Sequence, residues 1–180
     1  MANDKLLRGN VGIWLAYPEA FANPLAPTAA ELNAQFAWSP TASQGKMVFN
    51  VSCATLDDYT LNQTDSDTDD TRTICDVGEV ATATFQNYEG SLDFLRDVDV
   101  TAQGLFNMAA ELTRGSDREL YAYKRLNKSS SAAFAVGDQV TIYGFQTDFP
   151  QDGVDSGALI THGARFKPTG KFASNYELVA

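Results

Sequence analysis

The sequence predicts a mainly β fold: an antiparallel β-sandwich or barrel with one packed α-helix, a long N-terminal arm and an acidic loop. Several segments alternate apolar and polar residues with the two-residue period of a half-buried strand. One segment, residues 101–114, has a well-formed helical apolar stripe. With 180 residues, 44% of them hydrophobic, residues 1–180 are expected to form a single domain with a real core.

The N-terminal third is predicted to contain an arm, a strand and a short helix. Residues 2–10 are polar and are interpreted as the arm, and Val11 to Tyr17 is predicted to be a strand that ends at a proline. The run Thr28-Ala-Ala-Glu31 fits a capping box, in which each side chain binds the other residue's backbone N–H. It predicts a helix over 29–35.

The middle of the chain is predicted to hold a strand, a loop and a hairpin. Residues 46–53 alternate, with Phe49 and Val51 on one face. Residues 57–73 are polar and are predicted to form the acidic loop. Residues 79–96 are predicted to form a β-hairpin with its turn at Glu89-Gly90.

The last part of the chain is predicted to contain the helix and four strands. The side helix covers residues 101–114, with Asp99 or Thr101 as its N-cap and Gly115 after its end. The predicted strands are 118–126, 139–147, 158–166 and 172–179.

The acidic residues are concentrated in one stretch. Of the 23 Asp and Glu residues, twelve lie between Asp57 and Asp99, together with only two of the 13 basic residues, so this stretch accounts for the formal charge of −10. A segregated acidic surface repels nucleic acid and keeps like-charged copies soluble. Specific nucleic-acid binding is therefore not expected.

Motifs for catalysis are absent from the sequence. The single histidine, His162, falls in a predicted strand and is interpreted as structural, since no nucleophile can be placed beside it. Asp65, Asp67 and Asp69 form a weak candidate for a Ca²⁺ site, but the glycine and glutamate of an EF-hand loop are missing. A solvated acidic loop is the favoured interpretation, and we expect no enzyme activity and no cofactor.

Short motifs near the C-terminus carry a family resemblance. They are a Gly-Asp pair at a strand start (Gly137-Asp138), an Asp-x-Pro-Gln turn (148–151) and a Phe-x-Pro-x-Gly element (166–170) before a last strand. Together with the Leu-x-x-Gly-x-Val run at 6–11, they make the chain resemble the major tail tube proteins of long non-contractile (siphovirus-type) bacteriophages, especially those of actinobacteria.

The resemblance implies a structural virion protein that forms hexameric rings. The rings stack into a tail tube, four strands of each subunit line the lumen, and DNA and the tape measure protein occupy that lumen. Further implied partners are copies of the chain itself and the tail terminator, with no membrane, and the implied location is the virion tail after assembly in the host cytoplasm.

Two sets of residues are expected to mediate these roles. On the predicted hairpin, one polar face would line the lumen while Leu92 and Phe94 face the core; an outer solvent surface is the alternative for this face. The expected lumen residues are Thr82, Thr84, Gln86, Ser91 and Asp93. The arm 2–10 and loop 57–73 are expected to connect rings. The expected inter-ring residues are Asp4, Lys5, Arg8, Asp65, Asp67, Asp69, Asp70 and Arg72.

Other function classes stay open at this point. A Ca²⁺-binding adhesion or carbohydrate-binding module could use Tyr121, Tyr123 and Tyr143 as a sugar platform, although cross-strand packing also explains these tyrosines. A head–tail joining protein would form one ring and never elongate.

Overall fold

Ten strands and two α-helices occur in the part of the chain that the computed structural model describes, namely residues 10–34, 48–69, 82–97, 99, 104–154 and 159–180. For residues 68, 69 and 82–85 only the backbone is described. The elements are β1 Val11–Ala16, α1 Ala29–Asn33, β2 Val48–Asn50, β3 Thr60–Gln63, β4 Asp67–Asp69, β5 Thr82–Phe85, β6 Tyr88–Leu95, α2 Leu105–Thr113, β7 Glu119–Leu126, β8 Gln139–Thr147, β9 Gln151–Val154 and β10 Ile160–Glu177.

Eight of these strands form one antiparallel sheet in the order β2-β1-β7-β8-β10-β6-β3, with β9 also paired to β10. The segment that follows β2 makes backbone hydrogen bonds to strands near both ends of this strand order. The Val51 N–H donates to the Ile13 carbonyl of β1 at 3.0 Å, and the Leu56 N–H donates to the Asp93 carbonyl of β6 at 2.8 Å. The sheet therefore curls into a barrel-like sandwich, and the predicted mainly β fold class with one main helix is confirmed.

Apolar side chains fill both faces of the curled sheet around β1, β7 and β8. The inner core lies inside the curl and includes Leu15, Leu61, Leu92, Phe94, Leu120 and Phe145, each fully buried. The outer core lies on the other face and includes Trp14, Leu32, Tyr123, Ile142 and Leu178. Alternation along β1 assigns Ile13 and Leu15 to the first core and Trp14 and Ala16 to the second.

The helix α1 covers the outer core, and its predicted capping box is present. The Glu31 N–H donates to Thr28 Oγ1 at 3.1 Å, and the Thr28 N–H donates to Glu31 Oε2 at 2.8 Å. Burial alone would raise the pKa of Glu31, but these bonds and one from the Ala22 N–H hold it below its ordinary value. The helix is shorter than predicted and ends at Asn33.

The helix α2 packs on the inner core. It buries Ala109 and Leu112 there, and the Leu112 carbonyl accepts a bond from the Tyr17 hydroxyl at 3.0 Å. The predicted N-cap at Asp99 or Thr101 was wrong, because the helix begins after Gly104 and has no side-chain cap bond.

The predicted hairpin at 79–96 was wrong. Glu89 and Gly90 lie inside β6, which runs without a turn from Tyr88 to Leu95. Gly90 has a packing reason instead: a Cβ at this position would lie 2.4 Å from Phe145 Cζ. The polar stretch predicted as a loop also contains two strands, β3 and β4, and Leu61 of β3 is fully buried.

One long strand, β10, replaces the two strands predicted at the C-terminus. Its register against β8 shifts by two residues between Pro168 and Phe172, and Gly170 has φ +77°. This bulge is the Phe-x-Pro-x-Gly element. The Tyr88 hydroxyl holds it, accepting from the Thr169 N–H at 3.2 Å and donating to the Gly144 carbonyl at 2.6 Å.

The Gly-Asp motif at the start of β8 also has a structural role. Arg125, only 1% exposed, donates to Asp138 Oδ2 at 3.2 Å and to the carbonyls of Ser129 and Ala132. Burial alone would raise the pKa of Asp138, but bonds from the Lys128 ammonium and the Ala135 N–H hold it below its ordinary value. The motif thus fixes the loop between β7 and β8.

Candidate assembly surface

Four neighbouring strands, β9, β10, β6 and β3, form a sheet with one polar face and one core face. Along β6, Leu92 and Phe94 are fully buried in the inner core, whereas Ser91 and Asp93 lie on the opposite face and are half-buried. The helix α2 packs on the core side. We call the opposite side, with Ser91, Asp93 and their neighbours on β10, the polar face.

An ion pair lies at the centre of the polar face. Arg165 of β10 donates to Asp93 Oδ1 at 2.7 Å, and the two side chains are 34% and 26% exposed. Gly163 leaves room for this pair, since a Cβ there would lie 2.7 Å from Asp93 Oδ1. Further along β10, Lys167 pairs with Asp148 at 3.0 Å.

The polar face is therefore less acidic than the sequence stretch that contributes it. Arg165 and Lys167 were not among the predicted site residues, because the cross-strand neighbours of β6 cannot be read from the sequence. Alternation of Arg165 with Gly163 in the predicted strand 158–166 is the signal that could have placed Arg165 on this face, whereas Lys167 lies one residue beyond that prediction.

A long two-legged hairpin extends from this sheet. We call it the arm-hairpin; its first leg is residues 60–69 and its second leg residues 82–91. The β3–β6 and β4–β5 pairs follow the same register apart from a shift at Asp67, and the Thr64 N–H donates to the Asn87 carbonyl between them at 2.9 Å. The acidic stretch and the predicted lumen strand are thus the two legs of one hairpin.

Asn87 holds the legs together where the pairing is irregular. Its Nδ2 donates to the Asp65 carbonyl at 3.2 Å and to Asp67 Oδ1 at 3.0 Å. Asp65 and Asp67 are otherwise exposed, and the Asp69 side chain is outside the description. Within the described residues, no group of three His, Cys, Asp or Glu side chains could hold a metal ion.

Several predicted site residues cannot be placed by their side chains. Gln86 is exposed beside Asn87, whereas Thr82 and Thr84 lie on β5 with only their backbone described. The remaining inter-ring candidates lie outside the described residues: Asp4, Lys5, Arg8, Asp70 and Arg72.

The strand β9, which sequence analysis missed, forms one border of the four-strand sheet and pairs, within the described chain, with β10 alone. His162, 1% exposed, ties it to α2: Nδ1 lies 2.9 Å from Asp152 Oδ1 and Nε2 lies 3.0 Å from Thr113 Oγ1. Burial lowers the pKa of His162, opposed by Asp152. The Thr113 hydroxyl has a single hydrogen and also lies 2.9 Å from the Ala109 carbonyl, so a neutral imidazole that donates from Nδ1 accepts at Nε2 only when that hydrogen turns away from the carbonyl.

The tyrosines of the carbohydrate-binding alternative do not form a platform. Tyr121, Tyr123 and Tyr143 are 3%, 0% and 4% exposed and lie in the two cores. Burial raises the pKa of Tyr143 to about 12. Stacking of a sugar ring requires an accessible aromatic face, so cross-strand packing is the correct interpretation.

A family match over the whole chain agrees with the mainly β fold. None of the helices in the described residues is long and apolar enough to span a membrane. A family model described as "Phage tail tube protein" matches residues 1–180. No curated protein matches the chain. Since the family match covers the whole chain, the protein belongs to the phage tail tube proteins, which are structural, non-enzymatic components of the virion tail.

Proposed function

We propose that six copies of this chain form a ring, and that rings stack into the tail tube of a siphovirus-type phage with an actinobacterial host. The tube is the conduit for DNA ejection. The observation that carries this proposal is the four-strand sheet, which has a polar face and a core face backed by α2, and whose border strands β9 and β3 each pair with one strand within the described residues.

The polar face lines the lumen in this proposal. DNA must move through the tube without binding, and each unpaired Lys or Arg would bind phosphate by releasing counterions. Arg165 is paired with Asp93 on this face, which reduces its attraction for phosphate. Ser91 and Asp93 therefore keep the lumen role expected from the sequence, and Thr82, Thr84 and Gln86 continue it along the arm-hairpin.

The directions of the four strands support pairing between neighbouring copies. Each strand is antiparallel to the next, so β9 of one copy and β3 of the following copy run in opposite directions when the two sheets are continuous. The Leu61 carbonyl of β3 already accepts from Lys124 Nζ and the Tyr143 hydroxyl. Pairing would therefore leave out the Leu61 carbonyl and engage the chain on either side of it.

Stacking of rings is assigned to the N-terminal arm 2–10 and to the arm-hairpin. The arm-hairpin carries the exposed Asp65 and Asp67. Asp4, Lys5 and Arg8 would supply basic and acidic partners, and Asp69, Asp70 and Arg72 complete the contact. Exposed ion pairs of this kind give specificity and depend on salt.

The remaining partners follow from the same role. The tape measure protein would occupy the lumen before ejection, the tail terminator would bind the last ring, and genomic DNA would pass without specific binding. Assembly would take place in the host cytoplasm, and the product would be located in the virion tail.

Electron microscopy of the purified chain tests the proposal. We expect hollow tubes of six-fold rings at high concentration. Replacing residues 67–85 by an Asn-Gly turn removes β4 and β5 but keeps the β3–β6 pairing, so this variant should stay folded and stop at single rings. Wild-type rings that never stack would favour a head–tail joining protein, and wild-type monomers at all concentrations would refute the proposal.

The lumen assignment has its own test. Asp93→Lys would leave two cations, the new lysine and Arg165, without their acidic partner on the polar face. Tubes should still form, but phage carrying the variant should eject DNA more slowly because these cations bind phosphate. Glu19→Lys, which changes an exposed acid in the turn beside the outer core, is the matched control. Equal ejection rates for both variants would contradict a lumen position for Asp93.

A further inference from the structure

We propose that four apolar side chains on the β9–β10 hairpin form the contact by which one copy of the chain binds the next copy in a ring. They are Phe149, Val154, Leu159 and Ile160, and we call them the apolar strip. This inference rests on the proposed ring function and names the residues that close the subunit contact.

The four side chains of the apolar strip are exposed to solvent. Phe149, Val154, Leu159 and Ile160 are 73%, 68%, 53% and 61% exposed, and they are four of the seven exposed large apolar residues in the described chain. Val154 and Ile160 are direct cross-strand partners. Leu159 adjoins Ile160 in the sequence, whereas Phe149 lies beyond the other end of β9. Single exposed apolar residues are ordinary, so the adjacent Val154 and Ile160 are the part of the strip that marks a binding surface.

Val154 and Ile160 lie on the core side of the sheet. Ile160 has the same parity along β10 as His162 and Ala164, which are buried on the core side, and Val154 has the same parity along β9 as Asp152, the partner of His162. Val154 and Ile160 therefore continue the core face beyond the His162 contact with Thr113 at the end of α2. The polar face is on the other side of the same strands.

A second copy of this chain fits the strip because half-buried apolar side chains lie at the opposite border of the sheet. They are Leu56 and Tyr59, which precede β3, and Tyr59 packs against the inner core. If β9 lies along β3 of the next copy with both polar faces on the same side, Val154 and Ile160 meet Leu56 and Tyr59. The contact then joins the inner cores of two copies beneath a continuous polar sheet.

The turn that carries Phe149 has a fixed backbone. Asp148 Oδ1 accepts from the Phe149 N–H at 2.9 Å, Asp148 Oδ2 pairs with Lys167, and the Asp148 N–H donates to the Arg165 carbonyl at 2.9 Å. These three bonds fix the Asp-x-Pro-Gln turn. A turn whose backbone is fixed before binding loses less conformational entropy when its side chain is buried.

Lysine substitutions test the strip, because a lysine on an edge strand blocks pairing with another chain. Val154→Lys and Ile160→Lys should each raise the concentration needed for ring and tube formation by at least about tenfold, since an interface anchor contributes a decade or more in affinity. Both should keep the wild-type melting temperature of the monomer. Val136→Lys, at a residue 64% exposed in the loop between β7 and β8, is the matched control and should assemble like wild type.

The outcomes separate the inference from the proposed function. If the wild type forms tubes and Val154→Lys and Ile160→Lys assemble equally well, the strip is not the contact between copies, and another partner covers it. The proposed ring function would be unaffected by that result. Equal loss of assembly in Val136→Lys would also overturn it, because added charge at any exposed valine would then be sufficient. A wild-type chain that stays monomeric would overturn the ring function and the strip with it.

Discussion

Replacing Tyr88 by Phe removes one hydroxyl that joins the root of the arm-hairpin to the bulge in β10. The hydroxyl accepts from the Thr169 N–H at 3.2 Å, donates to the Gly144 carbonyl at 2.6 Å and lies 3.2 Å from the Lys171 carbonyl. The ring itself stacks on Phe172 with centroids 5.4 Å apart. Phenylalanine keeps this packing, so the change isolates the hydrogen bonds.

The expected cost follows from which groups lose a partner. The Gly144 carbonyl keeps the bond from Thr169 Oγ1 at 2.9 Å, and the Lys171 carbonyl belongs to an exposed residue that water can reach. The Thr169 N–H loses its acceptor in a part-buried position, and Thr169 itself is exposed, so water can partly replace the lost bond. A lost hydrogen bond of this kind costs about 0.5–1.5 kcal/mol of unfolding free energy. For a domain of this size the melting temperature should fall by about 1–6 °C.

Thermal and urea unfolding of the monomer measure this cost. The urea midpoint of Tyr88→Phe should fall while the dependence on urea stays the same, because the folded state is unchanged in compactness. Tyr176→Phe is the control, since the half-buried Tyr176 has no hydroxyl bond within the described residues. Equal stability of the two variants would refute the role of the Tyr88 hydroxyl in holding the bulge.

Three further variants or conditions test other parts of the structure. Melting temperature should fall as the pH drops from about 7 to about 5, because burial lowers the pKa of His162 below 6.5 and the unfolded chain then takes up the proton first; a flat profile would contradict a buried neutral imidazole. Asp138→Asn should cost about 3 kcal/mol in urea unfolding, because it leaves the Arg125 guanidinium buried without its counter-charge. Thr28→Ala should cost about 1 kcal/mol in the same assay through loss of the α1 cap, and an unchanged midpoint would show that packing alone holds the helix.

Local signals in the sequence were sufficient for some elements. The capping box at Thr28 and Glu31 predicted the start of α1 because both partners lie within four residues. Alternation in β6 correctly separated Leu92 and Phe94 from Ser91 and Asp93, since the two-residue period of a strand is also local.

Other features depend on residues far apart in the chain. Gly90 resembles a turn residue, but its reason is the Phe145 ring 55 positions later, so the predicted hairpin failed. The Asp93–Arg165 pair joins residues 72 positions apart, and nothing near Asp93 in the sequence indicates it. The side chains that β6 contributes to the polar face could therefore be predicted from the sequence. The charge balance of that face could not, because it depends on the pairing of β6 with β10.

The paired legs of the arm-hairpin restrict how its length can change. Two residues added to each leg would lengthen it by about 7 Å and keep every side chain on its side. One residue added to a single leg would turn over all side chains beyond that point, unless a bulge like the one at Asp67 absorbs it. Natural insertions and engineered peptide tags are therefore best tolerated outside the paired legs, or as matched additions to both.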